Sequence, residues 1–430
     1  MRRRLLSLSL AGSLLPGVGV ARAQPRPSSA GSPVRELVLW TMQLSPFHDA
    51  YIRGLLADFE AQHPGARVRW VDVPWAEMER KALASMAAGT APDVINLNPQ
   101  FAARLAELGV LHDPRGHLAP EQVDSYVPAA WQANQLAGRP FAVPWYLSTT
   151  VTLVHRGLLQ RAGVAVPHRA HELLAAARAV RSQTGQYAWF PAMDGAAPLE
   201  TLVSLHGRLF AEDGCSLSVP APGSPDMFGF FRTLYAERLL PPAVLTEGHR
   251  GSVARFAAGE VAMISTGMQF LEHIRKNDPA LYRQVGVAPQ LSGAPAGTPG
   301  AAPNIAAMNL AVPTASREPG LAFALAAFIT NAENQLALVR RVPLLPSSRA
   351  SYSDALFSTP SGDALMDEAR AISARQVFAG RVQVPPLRQY HKLRASFVRA
   401  LQSAMAGRLT PAQARAQVDE AWRVLRGCVA

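Results

Sequence analysis

The sequence predicts an α/β protein built on a parallel sheet. Three observations carry this expectation. Strand-like apolar runs and helix-spaced apolar residues alternate three times between residues 36 and 108. The chain is 49% hydrophobic and only 17% charged, which supplies a large core and excludes wholesale disorder. At 430 residues it is long for one unit, and at roughly 100–200 residues per domain two or three are expected.

Each element follows from local pattern. Glu36-Leu37-Val38-Leu39-Trp40 is a short apolar strand. Tyr51, Ile52, Leu55, Leu56 and Phe59 recur at helical spacing until His63-Pro64-Gly65 closes the element. Val68, Trp70, Val71 and Val73 give a second strand, and Met78, Ala82, Leu83 and Met86 a second helix ended by Gly89. Asp93–Leu97 is the third strand, and Phe101–Leu108 the third helix. Such alternation requires parallel strands with right-handed crossovers. Ligands on such sheets bind where strands end and helices begin, here the loops at 41–46, 74–75 and 98–100. Further on, Pro140–Pro144, Val151–Val154 and Met308–Val312 read as apolar strands. Helices are expected near 170–182, 199–210 and 226–238, as one helix over 320–338, and as two amphipathic helices at the C-terminus. Phe256–Ile264 reads as a helix end running into a strand, and 290–303 as a Pro/Gly/Ala loop.

The N-terminus reads as an export signal. Met1-Arg2-Arg3-Arg4 precedes a mostly apolar stretch from Leu5 to Val20, and Ala21-Arg22-Ala23 supplies a small-x-small cleavage site. Residues 1–23 are expected to be a signal peptide, and the Pro- and Ser-rich 24–33 a disordered leader. Arg2-Arg3-Arg4-Leu5-Leu6 also fits a loose twin-arginine pattern, and no Cys stands at the cleavage point to take a lipid anchor. The mature chain is expected outside the inner membrane, as a soluble protein, because no later apolar run approaches the length of a span. In that oxidising setting Cys215 and Cys428 are free to pair, and the sequence alone leaves the pairing open.

The charge balance is +11, from 42 Lys and Arg against 31 Asp and Glu. Only Lys81, Lys276 and Lys392 are lysines. The arginines are scattered, without a basic block or an aromatic–basic motif, so a nucleic-acid partner is not expected. Catalytic and metal signatures are also missing. There is no G-x-S-x-G elbow, no Cys-x-x-Cys and no Gly-Lys phosphate loop. His171-Glu172-Leu173-Leu174-Ala175 begins like a zinc-protease helix, but Ala175 stands where the second His is needed. No cofactor, metal or catalytic residue is assigned.

Several strings then appear in a familiar order. They are Leu55-Leu56-Ala57-Asp58-Phe59-Glu60-Ala61-Gln62-His63-Pro64-Gly65, Ala87-Ala88-Gly89-Thr90-Ala91-Pro92-Asp93-Val94, and Gly138-Arg139-Pro140-Phe141-Ala142-Val143-Pro144. Arg161-Ala162-Gly163-Val164, Phe256–Met263, Asn331–Gln335 and Leu344-Leu345-Pro346-Ser347 continue the series. Their order resembles the extracellular solute-binding proteins of ABC importers, family 1, which includes the maltose-binding type. Val154-His155-Arg156 and His168-Arg169 depart from that family's usual Tyr-Asn-Lys and Thr-Trp. The resemblance implies the class II, two-lobed periplasmic-binding-protein fold with hinge crossovers. One lobe would hold 34–146 plus 305–348, and the other 147–304 plus 349–430. It further implies a monomer that captures a carbohydrate, closes around it and is read by an ABC permease.

Sugars present flat C–H faces and rims of hydroxyls, so a site needs aromatic platforms and planar polar groups. The candidates are Gln43 and Trp75 after the first two strands, Asn98 and Gln100 after the third, and Trp145 with Tyr146 at the hinge. Trp189 and Asp194 are expected in a second-lobe loop, Gln269 after Thr266-Gly267-Met268, Asn309 on the returning strand, and Arg394 on a C-terminal helix. Trp40 and Trp70 read as core residues. Two rivals remain. If Arg388 and Arg394 face the cleft, an anionic polyol such as a glycerol-phosphate-like ligand is favoured. A secreted glycoside hydrolase would instead show paired carboxylates.

Overall fold

The computed structural model describes residues 34–220, 224–292 and 302–428. The expected signal peptide (1–23) and leader (24–33) lie outside the described residues. The first sheet has six strands, built from β1 (Arg35–Met42), β2 (Ala66–Val73), β3 (Val94–Leu97), β6 (Val143–Thr149), β11 (Ile305–Ala311) and β12 (Leu345–Pro346). Their order is β12-β6-β11-β3-β1-β2. The second sheet has the order β10-β7-β9-β8, from β7 (Val151–His155), β8 (Tyr187–Trp189), β9 (Val261–Thr266) and β10 (Val285–Pro289). A small hairpin, β4 (Gln135–Leu136) with β5 (Arg139–Pro140), stands apart.

The opening alternation folds as its pattern dictates. β1 pairs in parallel with both β2 and β3. Helix Asp49–Gln62 buries Ile52, Leu55, Leu56 and Phe59, a 3–4 spacing that forms one apolar stripe. Helices Trp75–Ala87 and Pro99–Glu107 cover the opposite face of the sheet. In the Ala91-Pro92-Asp93-Val94 string, Asp93 accepts from Val38 N at 2.8 Å and from Ser316 Oγ at 2.6 Å. That carboxylate clips β1 to the segment after β11. The parallel order ends there: β11 runs antiparallel to β3 and β6, and β12 antiparallel to β6.

The chain passes between the sheets three times. β6 ends at Thr149 in the first and β7 begins at Val151 in the second. It returns between β10 and β11, and leaves again after β12 toward helix Ala364–Ala379, which packs on β10, β6 and β7. Glutamine side chains tie these passages together. Gln376 donates to Thr150 O (2.9 Å) and accepts from Gln290 N (3.3 Å). Gln290 accepts from Asn304 N (2.7 Å), and Asn304 Oδ1 accepts from Gln383 N (3.1 Å).

Two expectations are corrected. The single helix over 320–338 is two helices, Pro319–Ile329 and Ala332–Val339, bent by 54°. Thr330 Oγ1 turns back onto Ala326 O (2.8 Å), and Asn331 caps the second helix by accepting from Asn334 N (2.8 Å). Trp40 and Trp70 pack against the core but are only half-buried, Trp70 on the edge strand with its indole N–H donated to Thr41 Oγ1. Among the described residues no single helix is long and apolar enough to cross a membrane. Cys215 and Cys428 form a disulfide that fastens the C-terminal helix to the second lobe.

Candidate ligand-binding cleft

Two cavities lie where the lobes meet. The larger, about 720 Å³, is walled by both lobes. Gln43 and Trp75 come from the first, and helices His249–Ala257 and Gln269–Asn277 from the second, with Phe270 and His273 among the lining residues. Its volume falls within the roughly 300–1,000 Å³ of small-molecule clefts. The smaller, about 180 Å³, sits at the hinge. Ser148, Thr149 and Thr150 of the first crossover form one side, and Ser265, Thr266 and Gly267 another. Trp189, Phe230, Glu200 and Gln290 complete it. His249 belongs to both walls.

The smaller cavity is polar where it matters for hydroxyl recognition. Thr149 is buried, and its Oγ1 has no hydrogen-bond partner among the described residues. His249 Nε2 lies 2.9 Å from Thr266 Oγ1, and burial lowers its pKa. The Glu200 carboxyl is pushed up to about 7, because burial opposes its charge more than a hydrogen bond with Asn304 favours it. Trp189 and Phe230 offer apolar faces beside these groups.

The predicted residues divide among several surroundings. Gln43 and Trp75 face the larger cavity, and Trp75 is 45% exposed. Gln43 holds a left-handed backbone (φ 54°), uncommon outside glycine and a mark of a position fixed by its surroundings. Trp189 closes β8, buries most of its ring beside Phe231, and lines the hinge cavity. Gln100 lines a third gap beside Gln389, which also has φ 54°, and its Nε2 lies 3.4 Å from Val384 O. Gln269 lines neither cavity; its side chain lies against Gly267, and its buried Oε1 has no partner among the described residues.

Others serve local structure. Asn98 caps helix Pro99–Glu107 by accepting from Phe101 N (2.9 Å). Asp194 accepts from His249 N (2.8 Å), which caps helix His249–Ala257 and fixes the residue shared by both cavities. Trp145 is not an open platform. It is 1% exposed within the first-lobe core, its ring 5.1 Å from that of Tyr146. Tyr146 is also buried, and its phenol pKa is raised by that burial and by Asp72. Asn309 is wholly buried on β11 and lines neither cavity. Arg394 donates to Met193 O (3.0 Å), so its guanidinium braces the 190–196 loop. Arg388 lies in a separate groove with Arg115 and Arg139.

Sequence reasoning missed Glu200, His249, Thr149 and Gln290. Only Glu200 carried a signal. It is an acid in Ala197–His206, a helix whose Leu199, Leu202, Val203 and Leu205 are all buried.

The profile of the bacterial extracellular solute-binding protein family matches residues 46–336. The chain belongs to that family. A crystal structure from Synechococcus sp. MITs9220, provisionally described as an oligosaccharide periplasmic-binding protein, is 36% identical over 91% of this chain and 99% of its own, with a TM-score of 0.81. The GacH receptor of Streptomyces glaucescens, solved unliganded and with acarbose, shares the fold at a TM-score of 0.73 and 23% identity, over 91% of this chain and 98% of its own. An uncharacterised lipoprotein of Streptomyces antibioticus is 25% identical over 91% of this chain and 89% of its own. The two-lobed architecture expected from the sequence is thus the solute-binding protein fold, of the maltose-binding type.

Proposed function

We propose that this solute-binding protein is the capture component of an ABC importer for a carbohydrate, and that it does not alter its ligand. The observation that carries the reading is the hinge cavity. Among the described residues it sets aromatic rings beside a rim of hydroxyls and has one carboxyl group, where glycoside hydrolysis uses a pair. The oligosaccharide role given to the Synechococcus relative supports the same ligand class. Neither Arg394, which donates to Met193 O, nor Arg388 is among the described residues lining the hinge cavity, which favours the neutral sugar over the anionic polyol.

In this reading the chain works as an exported monomer, freed of residues 1–23, and delivers its ligand to a permease. The lobes divide as the sequence suggests, except that we put the first hinge at Thr150, between the end of β6 and the start of β7. Closure about the three crossovers brings Gln43 and Trp75 toward the second-lobe helices across the larger cavity.

A thermal-shift screen of the purified chain against neutral sugars, polyols and sugar phosphates tests this. A neutral sugar at 100 times its Kd adds about 2.7 kcal/mol and raises Tm. A shift with sugar phosphates alone, or recovery of a chemically changed sugar, contradicts the reading.

A further inference from the structure

Helix Ala197–His206 forms one wall of the hinge cavity through Glu200, Thr201, Ser204 and Leu205. Its C-terminal end is held by the segment that follows it. A short hairpin turns back there, with Phe210 bridged to Leu217. Ala211 N donates to Ser216 O (2.9 Å) and Ser218 N to Leu209 O (3.2 Å). At the stem, Ser218 O lies 3.0 Å from Nδ1 of His206, the last residue of the helix. Close by on the same helix, Ser204 Oγ accepts from Gln290 Nε2 (2.8 Å), where the chain leaves β10 for the first lobe. The hairpin, the cavity wall and a crossover therefore form one connected series.

The other side of the hairpin rests on the C-terminal helix, Pro411–Leu425. Asp419 accepts from Leu217 N (2.6 Å), and Arg415 donates to Leu217 O (2.7 Å) and Ser218 O (2.9 Å). Arg423 Nε donates to Ser216 Oγ (3.0 Å). The buried residues of that helix are Ala414, Val418 and Trp422. Past Trp422 apolar burial runs out, and Val424 is 62% exposed. The fastening there is polar and covalent. Arg426 Nε donates to Gly214 O (3.0 Å), and Cys428 is bonded to Cys215 at the hairpin tip. Exposed polar contacts open readily, whereas a covalent tie limits how far the hairpin and the helix end can separate. Cys428 is exposed and Cys215 half-buried, so a dithiol reaches the bond from solvent.

We propose that the Cys215–Cys428 disulfide is a redox switch on ligand capture. Oxidised, it clamps the hairpin to the C-terminal helix and keeps Ser204 and Leu205 in place on the cavity wall. Reduced, it frees the hairpin, the wall loosens, and sugar binds more weakly. The inference rests on the carrier reading and adds a regulation of the same site. Reduction breaks the S–S bond, takes up two electrons and two protons and yields two thiols; a dithiol supplies them and closes to its own disulfide. In the reverse step a thiol–disulfide oxidant of an oxidising compartment accepts the electrons and protons. The buried face of helix Ala197–His206 and the hairpin's hydrogen bonds persist in the reduced chain, so the expected change is local opening with the fold retained.

The test compares the purified chain oxidised, reduced with dithiothreitol, and as the Cys215→Ser, Cys428→Ser double variant. Hydrogen exchange of the sugar-free chain reads the wall directly. Amides of 200–218 should lose at least about tenfold in protection on reduction, while those of helix Asp49–Gln62 keep theirs. Calorimetric titration with glucose, galactose, mannose and maltose reads capture. Whichever sugar binds the oxidised chain should bind the reduced chain and the double variant at least about tenfold more weakly. Reoxidation should restore the affinity of the reduced chain, and dithiothreitol should leave the double variant unchanged. Unchanged exchange over 200–218, or equal sugar affinity of the oxidised and reduced chains, overturns the inference and leaves the carrier reading standing. A reduced chain that loses protection throughout also overturns it, because the disulfide would then brace the whole fold. If none of these sugars binds the oxidised chain, the carrier reading falls, and the exchange result alone decides whether the disulfide governs the wall.

Discussion

The two cavities are built differently, and the difference separates recognition from closure. The hinge cavity is made by the crossovers and the second lobe, with Trp189 and Phe230 packed into that lobe's core. Most of its walls belong to one lobe and the crossovers, so its shape depends little on the angle between lobes. The larger cavity faces Trp75 and Gln43 of one lobe toward Phe270 and His273 of the other. Its dimensions depend on the angle between lobes. Affinity for a ligand part seated at the hinge draws on a preformed site, whereas the larger cavity contributes only as the jaws approach.

Four substitutions test that contrast. Trp189→Ala carries the largest expected effect. Trp189 is 5% exposed and belongs to the second-lobe core, so its loss costs about 3–5 kcal/mol of stability as well as ligand affinity. Denaturant titration reads it, and an unchanged midpoint would show that the cavity wall is not part of the core.

Helix Ala197–His206 carries a pH effect of known sign. His206 is buried. Its Nε2 accepts from Met227 N (3.2 Å), and its Nδ1 lies 3.0 Å from Ser218 O, which leaves a neutral tautomer. Burial lowers its pKa to about 4. The unfolded chain therefore takes up the proton first. The His206 contribution is complete above pH 6.5 and is lost as pH falls toward 4, about 3 kcal/mol in all. Glu200 titrates in the opposite sense: its pKa is raised from 4.5 to about 7, so stability falls as pH rises through that window and stays at the lower level above it. Wild type should lose more stability than His206→Gln between pH 7 and pH 4. Equal losses would contradict the buried neutral imidazole.

A smaller change is expected at the crossovers. Gln290→Ala strips partners from Asn304 N and Ser204 Oγ, at about 1–3 kcal/mol. It should also weaken the coupling between an occupied hinge cavity and closure, visible as a reduced ligand-induced compaction. Trp75→Ala is the mildest. At 45% exposure its removal should change stability by less than about 0.5 kcal/mol. Ligand affinity should fall about tenfold, mostly through faster dissociation. A large loss of stability there would erase the distinction between the two cavities.

The first lobe's opening was legible because its signal is periodic. Ile52, Leu55, Leu56 and Phe59 on one helix, and the apolar runs of β1 to β3, report their partners through spacing alone. The helix break at Thr330 was not, because the Thr330 and Asn331 side chains compete with the helix while the apolar pattern runs on unbroken. Trp145 and Trp189 show the limit for the site. Both are buried tryptophans in or at the end of a strand, yet only Trp189 also lines a cavity. β6 bulges against β11 between Ala307 and Asn309, opposite Trp145, a pairing more than a hundred residues apart that local spacing does not report. Glu200, Thr149 and Gln290 come from one helix and two crossovers far apart in the chain, so no local spacing marks them.

The central claim is closure of two lobes about a neutral sugar. Small-angle scattering of the purified chain, alone and saturated with the sugar that raises its Tm, tests this most directly. The account predicts a smaller radius of gyration with sugar bound and recovery of the sugar unchanged. An identical radius at saturation would contradict it.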